Sequence, residues 1–193
     1  MNSLRDLYVE ELKDLFSAEN QILKALPKMT KAASNRDLQR AFTQHERQTQ
    51  RQVKRLERIF RQLGESPKGK KCVGMQGLLE EGSELIKEKP EPEVLDAGLI
   101  AAAQRVEHYE IAGYGTARTY ANHLGHEDQA SLLQETLDEE GATDKLLTSL
   151  AERSINLAAE MAGEEEVTSG NGMGRAGASR RTRASRRRVA RRS

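Results

Sequence analysis

Apolar residues recur every three or four positions along most of the chain up to about residue 160, which is the period of amphipathic α-helices. The pattern predicts four long helices over about 3–33, 36–63, 93–123 and 127 to at least 151 and as far as 160, with a short amphipathic segment over about 76–88. Ser3 and Asp6 resemble a capping box at the start of the first helix, and Gly64 is expected to end the second.

Two short turns and one long connection join these helices. Ser34-Asn35 links the first pair and Leu124-Gly125 links the second pair, whereas about thirty residues separate the two hairpins. One long crossover is the mark of the ferritin-like four-helix bundle. We therefore predict an all-α fold, a ferritin-like up-down-down-up four-helix bundle whose crossover contains a short fifth helix. A plain helical bundle without an internal site is the alternative.

The sequence changes character after Met161, where Gly, Ser, Glu and Arg replace the apolar period. Such a composition cannot bury enough apolar surface to fold in isolation. The predicted organisation is a four-helix bundle over residues 1–160 followed by a disordered, Arg-rich C-terminal tail over residues 161–193.

Acidic side chains lie on the apolar faces of three predicted helices. At about 100° per residue, Glu19 and Glu140 fall at the centres of the apolar stripes of the first and fourth helices. Glu107 does the same on the third helix, with Glu110 about 60° away. Asp144 faces inward one turn after Glu140, so the core of the bundle is expected to hold several carboxylates.

The second helix contributes no inward acid. Its inward polar residues are His45, Gln48, Thr49 and Gln52. Counted from the turns, Glu19 is level with about residue 50, and the acids of the third helix are level with about residues 139–142. The inward polar groups of each hairpin should therefore lie in one layer of the bundle.

A buried layer of carboxylates costs several kcal/mol unless protons or cations neutralise it. A pair of metal ions is the usual solution in such bundles, and carboxylate with imidazole ligands suits iron or manganese. The alternative is a salt-bridged glutamate in each helix, but Arg118 lies about two turns from this layer. The candidate metal ligands are Glu19, Glu107, Glu110 and Glu140, with His45, Gln48 and Asp144 as auxiliary groups.

Four segments together resemble the YciE/YciF family of ferritin-like stress proteins over about residues 4–155. They are "LKDLFSAENQILKALPKM", "KKCVGMQGLLEEG", "AAAQRVEHYEIAGYGT" and "ETLDEEGATDKLL". The resemblance implies a ferritin-like bundle, usually dimeric, with a rubrerythrin-like two-metal site. The biochemical activity of that family is not established.

The resemblance assigns the metal ligands to the same acids, and two positions depart from the family pattern. The second helix of the family usually reads His-x-x-Glu-Thr, whereas here Gln48 stands in place of the glutamate. Thr143 stands where a Glu-x-x-His motif on the fourth helix would place its histidine. An amide offers only a neutral carbonyl oxygen, so one of the two metal positions is expected to be weakened.

Composition agrees with a soluble helical protein. Hydrophobic residues make up 36% of the chain and charged residues 32%, with 4% aromatics and no Trp. The longest apolar stretch, 97–103, is far shorter than the roughly 20 residues of a membrane span, and no signal-peptide pattern opens the chain. The single Cys72 excludes an intrachain disulfide, and a cytoplasmic location is expected.

Charge is divided between the two predicted parts. Nine of the 31 Lys and Arg lie in residues 175–193, which contain no acid, and the other 22 face 30 acids in residues 1–174. Such a polycation suits phosphate backbones, although the acidic body of its own oligomer, another acidic partner or a membrane surface are alternative targets. The candidate nucleic-acid contacts are Arg180, Arg181, Arg183, Arg186, Arg187, Arg188, Arg191 and Arg192.

Two functional hypotheses follow. The first is a cytoplasmic, homodimeric, ferritin-like protein that binds iron or manganese in stress protection, with oxidase- or peroxidase-like activity at an incomplete carboxylate site. The second is a DNA-associated structural protein in which the bundle mainly oligomerises and the tail binds DNA. The sequence carries no nucleophilic triad and no phosphate-binding glycine loop, so no catalytic residue is assigned.

Overall fold

The computed structural model describes residues 1–170, and they contain helices and no strand. The helices are α1 (Leu4–Ala32), α2 (Arg36–Leu63), α3 (Val73–Glu88), α4 (Pro92–His123), α5 (Glu127–Leu150) and α6 (Asn156–Gly170), with a π-helical turn at Ala151–Ile155 between the last two. This confirms the predicted all-α fold with a short helix in the crossover. No helix within residues 1–170 has the length and hydrophobicity needed to cross a bilayer.

Two long-range hydrogen bonds fix the directions of the four long helices. Ser34, after the end of α1, donates to Asp96 at the start of α4, so these helices run in opposite directions. Tyr8 near the start of α1 donates to Gln129 near the start of α5, so these two helices start at the same end of the bundle. With the short turns after α1 and α4, this gives the up-down-down-up order. Helix α3 packs against α4 and α1.

The apolar core of the bundle falls into two clusters. One includes Leu26, Phe42 and Leu147 near the turn between α1 and α2. The other includes Leu12 and Phe60, towards the opposite end. The buried polar residues between these clusters include Glu19, Thr49, Gln52, Glu107, Glu110 and Glu140. The predicted polar layer therefore interrupts the hydrophobic core.

The C-terminal part of the chain bears on two predictions. Helix α6 continues to Gly170, beyond the bundle boundary predicted at residue 160. The π-helical turn and α6 prolong the direction of α5, and α6 contacts α4. The first ten residues of the predicted disordered tail, 161–170, are helical in α6. The rest of the tail and all of its candidate nucleic-acid contacts lie outside the residues that the structure describes.

Asp96 joins the start of α4 to the turn between α1 and α2. Its carboxylate is 2% exposed and accepts hydrogen bonds from the Ser34 amide at 2.8 Å, the Ser34 hydroxyl at 2.6 Å and the Asn35 amide at 2.8 Å. We expect Asp96→Ala to lower the free energy of unfolding by about 2–4 kcal/mol, because it removes three hydrogen bonds to a buried carboxylate that join α4 to the turn. Urea denaturation measures this. The exposed Asp138→Ala is the control, and equal losses in the two variants would contradict the assignment.

Candidate metal centre

Four buried side chains from three helices converge in the polar layer. They are His45 of α2, Glu107 and Glu110 of α4, and Glu140 of α5. Each offers one imidazole nitrogen or carboxylate oxygen, and these atoms all lie within 4.8 Å of one another. Glu107 and Glu110 share a face because residues three apart are neighbours on a helix. We call these four residues the His-Glu cluster.

The hydrogen bond of Thr143 determines which nitrogen of His45 faces the carboxylates. The Thr143 hydroxyl donates to the Glu139 carbonyl oxygen at 3.1 Å and lies 3.4 Å from Nδ1 of His45. We assign the imidazole proton to Nδ1, because the hydroxyl hydrogen of Thr143 is used for the Glu139 carbonyl and leaves an acceptor facing His45. Nε2 then carries a lone pair, and it lies 3.3 Å from Oε1 of Glu107 and 3.9 Å from Oε2 of Glu140.

The protonation of His45 is governed mainly by burial. Burial lowers the pKa of His45 from its ordinary value, although the charges of Glu140 and Glu139 and a hydrogen bond with Gln48 oppose this effect. A neutral imidazole therefore directs a lone pair at carboxylate oxygens, which are also acceptors. A cation or a proton between them is required for a stable arrangement.

The carboxylates of the layer are poorly compensated. Burial is the main cause that raises the pKa of Glu107 and of Glu110 well above the ordinary value, and neighbouring carboxylates add to it. Within the described side chains, no Lys or Arg is buried in the protein interior. The oxygens Oε2 of Glu107, Oε1 of Glu110 and Oε2 of Glu140, with Nε2 of His45, are buried and have no hydrogen-bond partner among the described residues.

Glu19 lies beside the His-Glu cluster on α1. Its side chain is fully buried, and its Oε1 accepts a hydrogen bond from the Tyr114 hydroxyl. Burial first, and the charge of Glu140 next, raise the pKa of Glu19 well above its ordinary value. Its Oε2 is buried and unpaired among the residues that the structure covers. Glu19 is therefore placed in the predicted layer but outside the group of four atoms that lie within 4.8 Å.

The amide that contacts the carboxylates is Gln52. Its side chain is 0% exposed, and its Nε2 donates to Oε1 of Glu140 and, at 3.1 Å, to Oε2 of Glu139. Gln48, the amide singled out from the sequence, is half-buried and lies beside His45. The spacing of seven residues from His45, two helical turns, was the signal that pointed to Gln52.

Asp144 is turned to the flank of the cluster. It is half-buried, its Oδ1 accepts from Nε2 of Gln104 at 2.9 Å, and the same oxygen lies 3.4 Å from Nε2 of the exposed His108. The structure thus pairs Asp144 with residues outside the His-Glu cluster. His108 lies at the flank because it is about 100° from Glu107 around α4, and its side chain is 69% exposed.

Glu139, next to Glu140 on α5, has its negative charge compensated by two arginines. Arg55 donates to its Oε2 at 2.7 Å, and Arg51 lies 3.4 Å from its Oε1. Burial would raise the pKa of Glu139, but the hydrogen bonds and charges of these two arginines hold it below its ordinary value. Glu139 is thus a satisfied ion-pair residue, whereas Glu140 forms no ion pair with an arginine or lysine among the described residues.

The chain is similar in sequence to proteins of one family. The profile of a family described as a domain of unknown function (DUF892) matches residues 3–160. The chain is also 46% identical over 161 residues to Protein YciF of Escherichia coli strain K12. That match covers 83% of this chain and 97% of YciF.

Three solved structures share the architecture. The crystal structure of the E. coli stress protein YciF matches with a TM-score of 0.78 at 46% identity, covering 81% of this chain and 99% of that chain. YcfI of Rhodopseudomonas palustris matches with a TM-score of 0.75 at 44% identity, covering 77% and 94%. A Xanthomonas campestris protein with 22% identity and a TM-score of 0.69, covering 84% and 99%, has the same fold.

Proposed function

The chain belongs to the family described as a domain of unknown function (DUF892), which confirms its resemblance to the YciE/YciF proteins, and we propose that it is a ferritin-like metal-binding protein of stress protection. The observation that carries the proposal is the His-Glu cluster, whose lone pairs and carboxylate oxygens converge without a compensating cation from the described chain. The stress role is extended from E. coli YciF, which is described as a stress protein.

The proposed ligands fit iron or manganese by their chemistry. Three carboxylates and one imidazole nitrogen form a mixed oxygen and nitrogen set, which suits these ions better than the thiolate-rich sets of structural zinc sites. Nε2 of His45 with Glu107, Glu110 and Glu140 would hold one ion, and Glu19 would contribute to a second, weaker position. A bound iron or manganese ion would supply redox chemistry towards oxygen or peroxide.

The surrounding residues of the chain orient these ligands. Thr143 contacts Nδ1 of His45, Tyr114 holds Glu19 through a hydrogen bond, and Gln52 holds Glu140. Partners of this kind set the direction and basicity of metal ligands. Gln52 uses its amide NH₂ group to donate to Glu140. Its carbonyl oxygen is buried and unpaired among the described residues, and it would contribute to the second, weaker metal position.

Anaerobic calorimetric titration with Mn(II) or Fe(II) tests this proposal. We expect stoichiometric binding with net release of protons, because the raised carboxyl pKa values keep protons in the metal-free layer that the ion displaces. Titration in two buffers of different ionisation enthalpy measures the released protons. His45→Ala should lose most of the affinity, whereas the exposed His108→Ala should retain it. Absence of saturable binding to the wild-type protein would contradict the proposal.

The charge of residues 175–193 favours a second role, and we propose nonspecific nucleic-acid binding through its nine arginines. Truncation after residue 174 is expected to remove DNA retention and its steep dependence on salt, because each phosphate contact contributes about 0.9 to the slope of log K against log salt. Fluorescence anisotropy with a short duplex at several salt concentrations measures both. Unchanged binding by the truncated protein would exclude this role for the tail.

We also propose a cytoplasmic homodimer, as the family resemblance implies. Leu157 and Met161 of α6 support a homodimer because they are exposed and, being four residues apart, lie on one face of the helix. Light scattering of the full-length protein measures its oligomeric state.

A further inference from the structure

A surface groove adjoins a small inner cavity, and the cavity reaches the His-Glu cluster. The groove, of about 320 Å³, lies between α1, α3 and α4. The inner cavity, of about 20 Å³, lies deeper among α1, α2, α3, α4 and α5, and His45 and Glu107 form part of its wall. Four residues line both spaces, namely Ala25, Met29, Leu79 and Val106. These four residues therefore form the wall between the groove and the inner cavity.

The inner cavity is apolar except at its end. Its other lining residues include Phe42, Ala103 and Leu147, and its polar groups are His45, Glu107 and Thr143. A volume of this size holds about one molecule the size of water, but a water molecule needs two to four polar partners. Nearly all of the surface that lines the inner cavity is apolar. The cavity thus favours a small uncharged and apolar molecule over water.

The charges at the groove disfavour a cation. The charged residues that line it are Lys24, Lys28, Lys71 and Glu80, all of them exposed. Three positive charges against one negative charge repel a divalent cation at the mouth. An ion that entered here would also have to lose its hydration shell against the apolar wall, which is costly.

We propose that the groove and the inner cavity form the passage by which dioxygen reaches the His-Glu cluster, with Ala25, Met29, Leu79 and Val106 as its size-selective wall. Dioxygen matches the passage because it is small, uncharged and apolar, whereas the metal ion of the proposed function must use another route. The inference rests on that function for its purpose. The passage itself belongs to the metal-free protein and can be tested without metal.

Paramagnetic dioxygen is a direct probe of the passage. In the metal-free, full-length protein, dissolved dioxygen should enhance the methyl relaxation of Leu147 more than that of Leu133, because Leu147 lines the inner cavity while both side chains are 1% exposed. Ala25→Leu should fill the wall and reduce the enhancement at Leu147 to that of Leu133. Ala101→Leu, at an exposed position of α4, should leave it unchanged.

A second variant distinguishes an effect on the wall from a loss of the enhancement through misfolding. Met29→Ala should widen the wall and increase the enhancement at Leu147. Equal relaxation of Leu147 and Leu133 in the wild-type protein, or no response to either wall variant, would overturn the passage.

The Fe(II)-bound protein tests whether the passage leads to the His-Glu cluster. With Fe(II) bound, Ala25→Leu should slow the association of nitric oxide, a probe the size of dioxygen, several-fold without changing the Fe(II) affinity. An unchanged association rate would overturn the passage as the route to the metal. Failure of Fe(II) to bind at all would instead refute the proposed function, and the relaxation result would still decide whether the passage exists.

Discussion

Replacing Glu107 with Gln is expected to strengthen the metal-free fold and to remove metal binding at the same time. Glu107 is buried, its pKa is raised well above the ordinary value, and one of its oxygens lies 3.3 Å from the bare Nε2 of His45. An amide of the same shape avoids ionisation in the core and can donate to that lone pair. We expect the free energy of unfolding at pH 8 to rise by about 1–3 kcal/mol and the metal affinity to fall by more than about 100-fold.

Urea denaturation of the metal-free protein and calorimetric metal titration measure the two effects. Glu81→Gln, at an exposed position of α3, is the matched control and should change neither quantity. A Glu107→Gln protein that is less stable than the wild type, or that still binds metal with wild-type affinity, would show that Glu107 is not an uncompensated ligand.

The metal-free protein is expected to lose stability as the pH rises through the raised carboxyl pKa values of its polar layer. Folding raises the pKa values of Glu19, Glu107 and Glu110, with burial as the largest cause in each case. The folded state therefore holds protons that the unfolded chain has already lost above its ordinary carboxyl pKa of 4.5. Stability falls through this range by about 1.4 kcal/mol per pH unit for each retained proton.

Protonation of His45 affects the stability in the opposite direction and at lower pH. Its folded pKa is lowered from 6.5, so its contribution is present above that value and is lost as the pH falls. Above pH 6.5 the His45 contribution no longer changes, so any further change in stability with pH comes from the carboxyl groups. Bound metal should reverse the trend, because the ion replaces the protons and binds more tightly as the ligands ionise.

Urea denaturation across this pH range, with Mn(II) and with a chelator, measures the dependence. A flat stability profile in the chelator would contradict the raised pKa values. A profile that falls equally steeply with and without Mn(II) would contradict the replacement of protons by the ion.

The hydrophobic period was sufficient to predict the helices but not their irregular ends. The predicted second helix matches α2 at Arg36–Leu63, since a clear apolar stripe lies between Asn35 and Gly64. The crossover helix begins at Val73, earlier than predicted, because the Cys72 thiol caps it by accepting from the amide of Met75. A thiol is not among the usual capping groups, so the sequence gives little sign of it.

The π-helical turn at Ala151–Ile155 is a second irregularity that the sequence does not reveal. Ala151 and Ile155 are both buried and four residues apart, which an ordinary α-helix also permits. We attribute the π-helical turn to the packing of this segment against α4, which it contacts. Periodicity alone therefore predicts a continuous helix.

The polar layer could be predicted from helical angle and depth because both depend only on spacing along regular helices. Those rules placed Glu107, Glu110 and Glu140 together, as they are in the structure. They did not resolve Gln48 from Gln52, since both lie in the same inward sector and small rotations of α2 decide which one meets Glu140. They also did not foresee the pairing of Asp144 with Gln104 on α4.

The acids of the polar layer differ from the neighbouring Glu139 in how their charge is compensated. Glu139, next in sequence to Glu140, is compensated by two arginines, whereas the His-Glu cluster has no such partner among the described residues. Selection for fold stability alone would favour apolar residues of similar size at such positions. The uncompensated acids therefore support the proposal that this layer binds a metal ion.

Anomalous scattering from crystals grown with Mn(II) or Fe(II) tests the metal centre most directly. We expect an anomalous peak bounded by Nε2 of His45 and by the carboxylates of Glu107, Glu110 and Glu140, and a weaker peak or none beside Glu19. Crystals of the Glu107→Gln protein should lose the main peak. The absence of any peak in this layer of the wild-type protein, at metal concentrations that saturate other carboxylate sites, would contradict a metal-binding function.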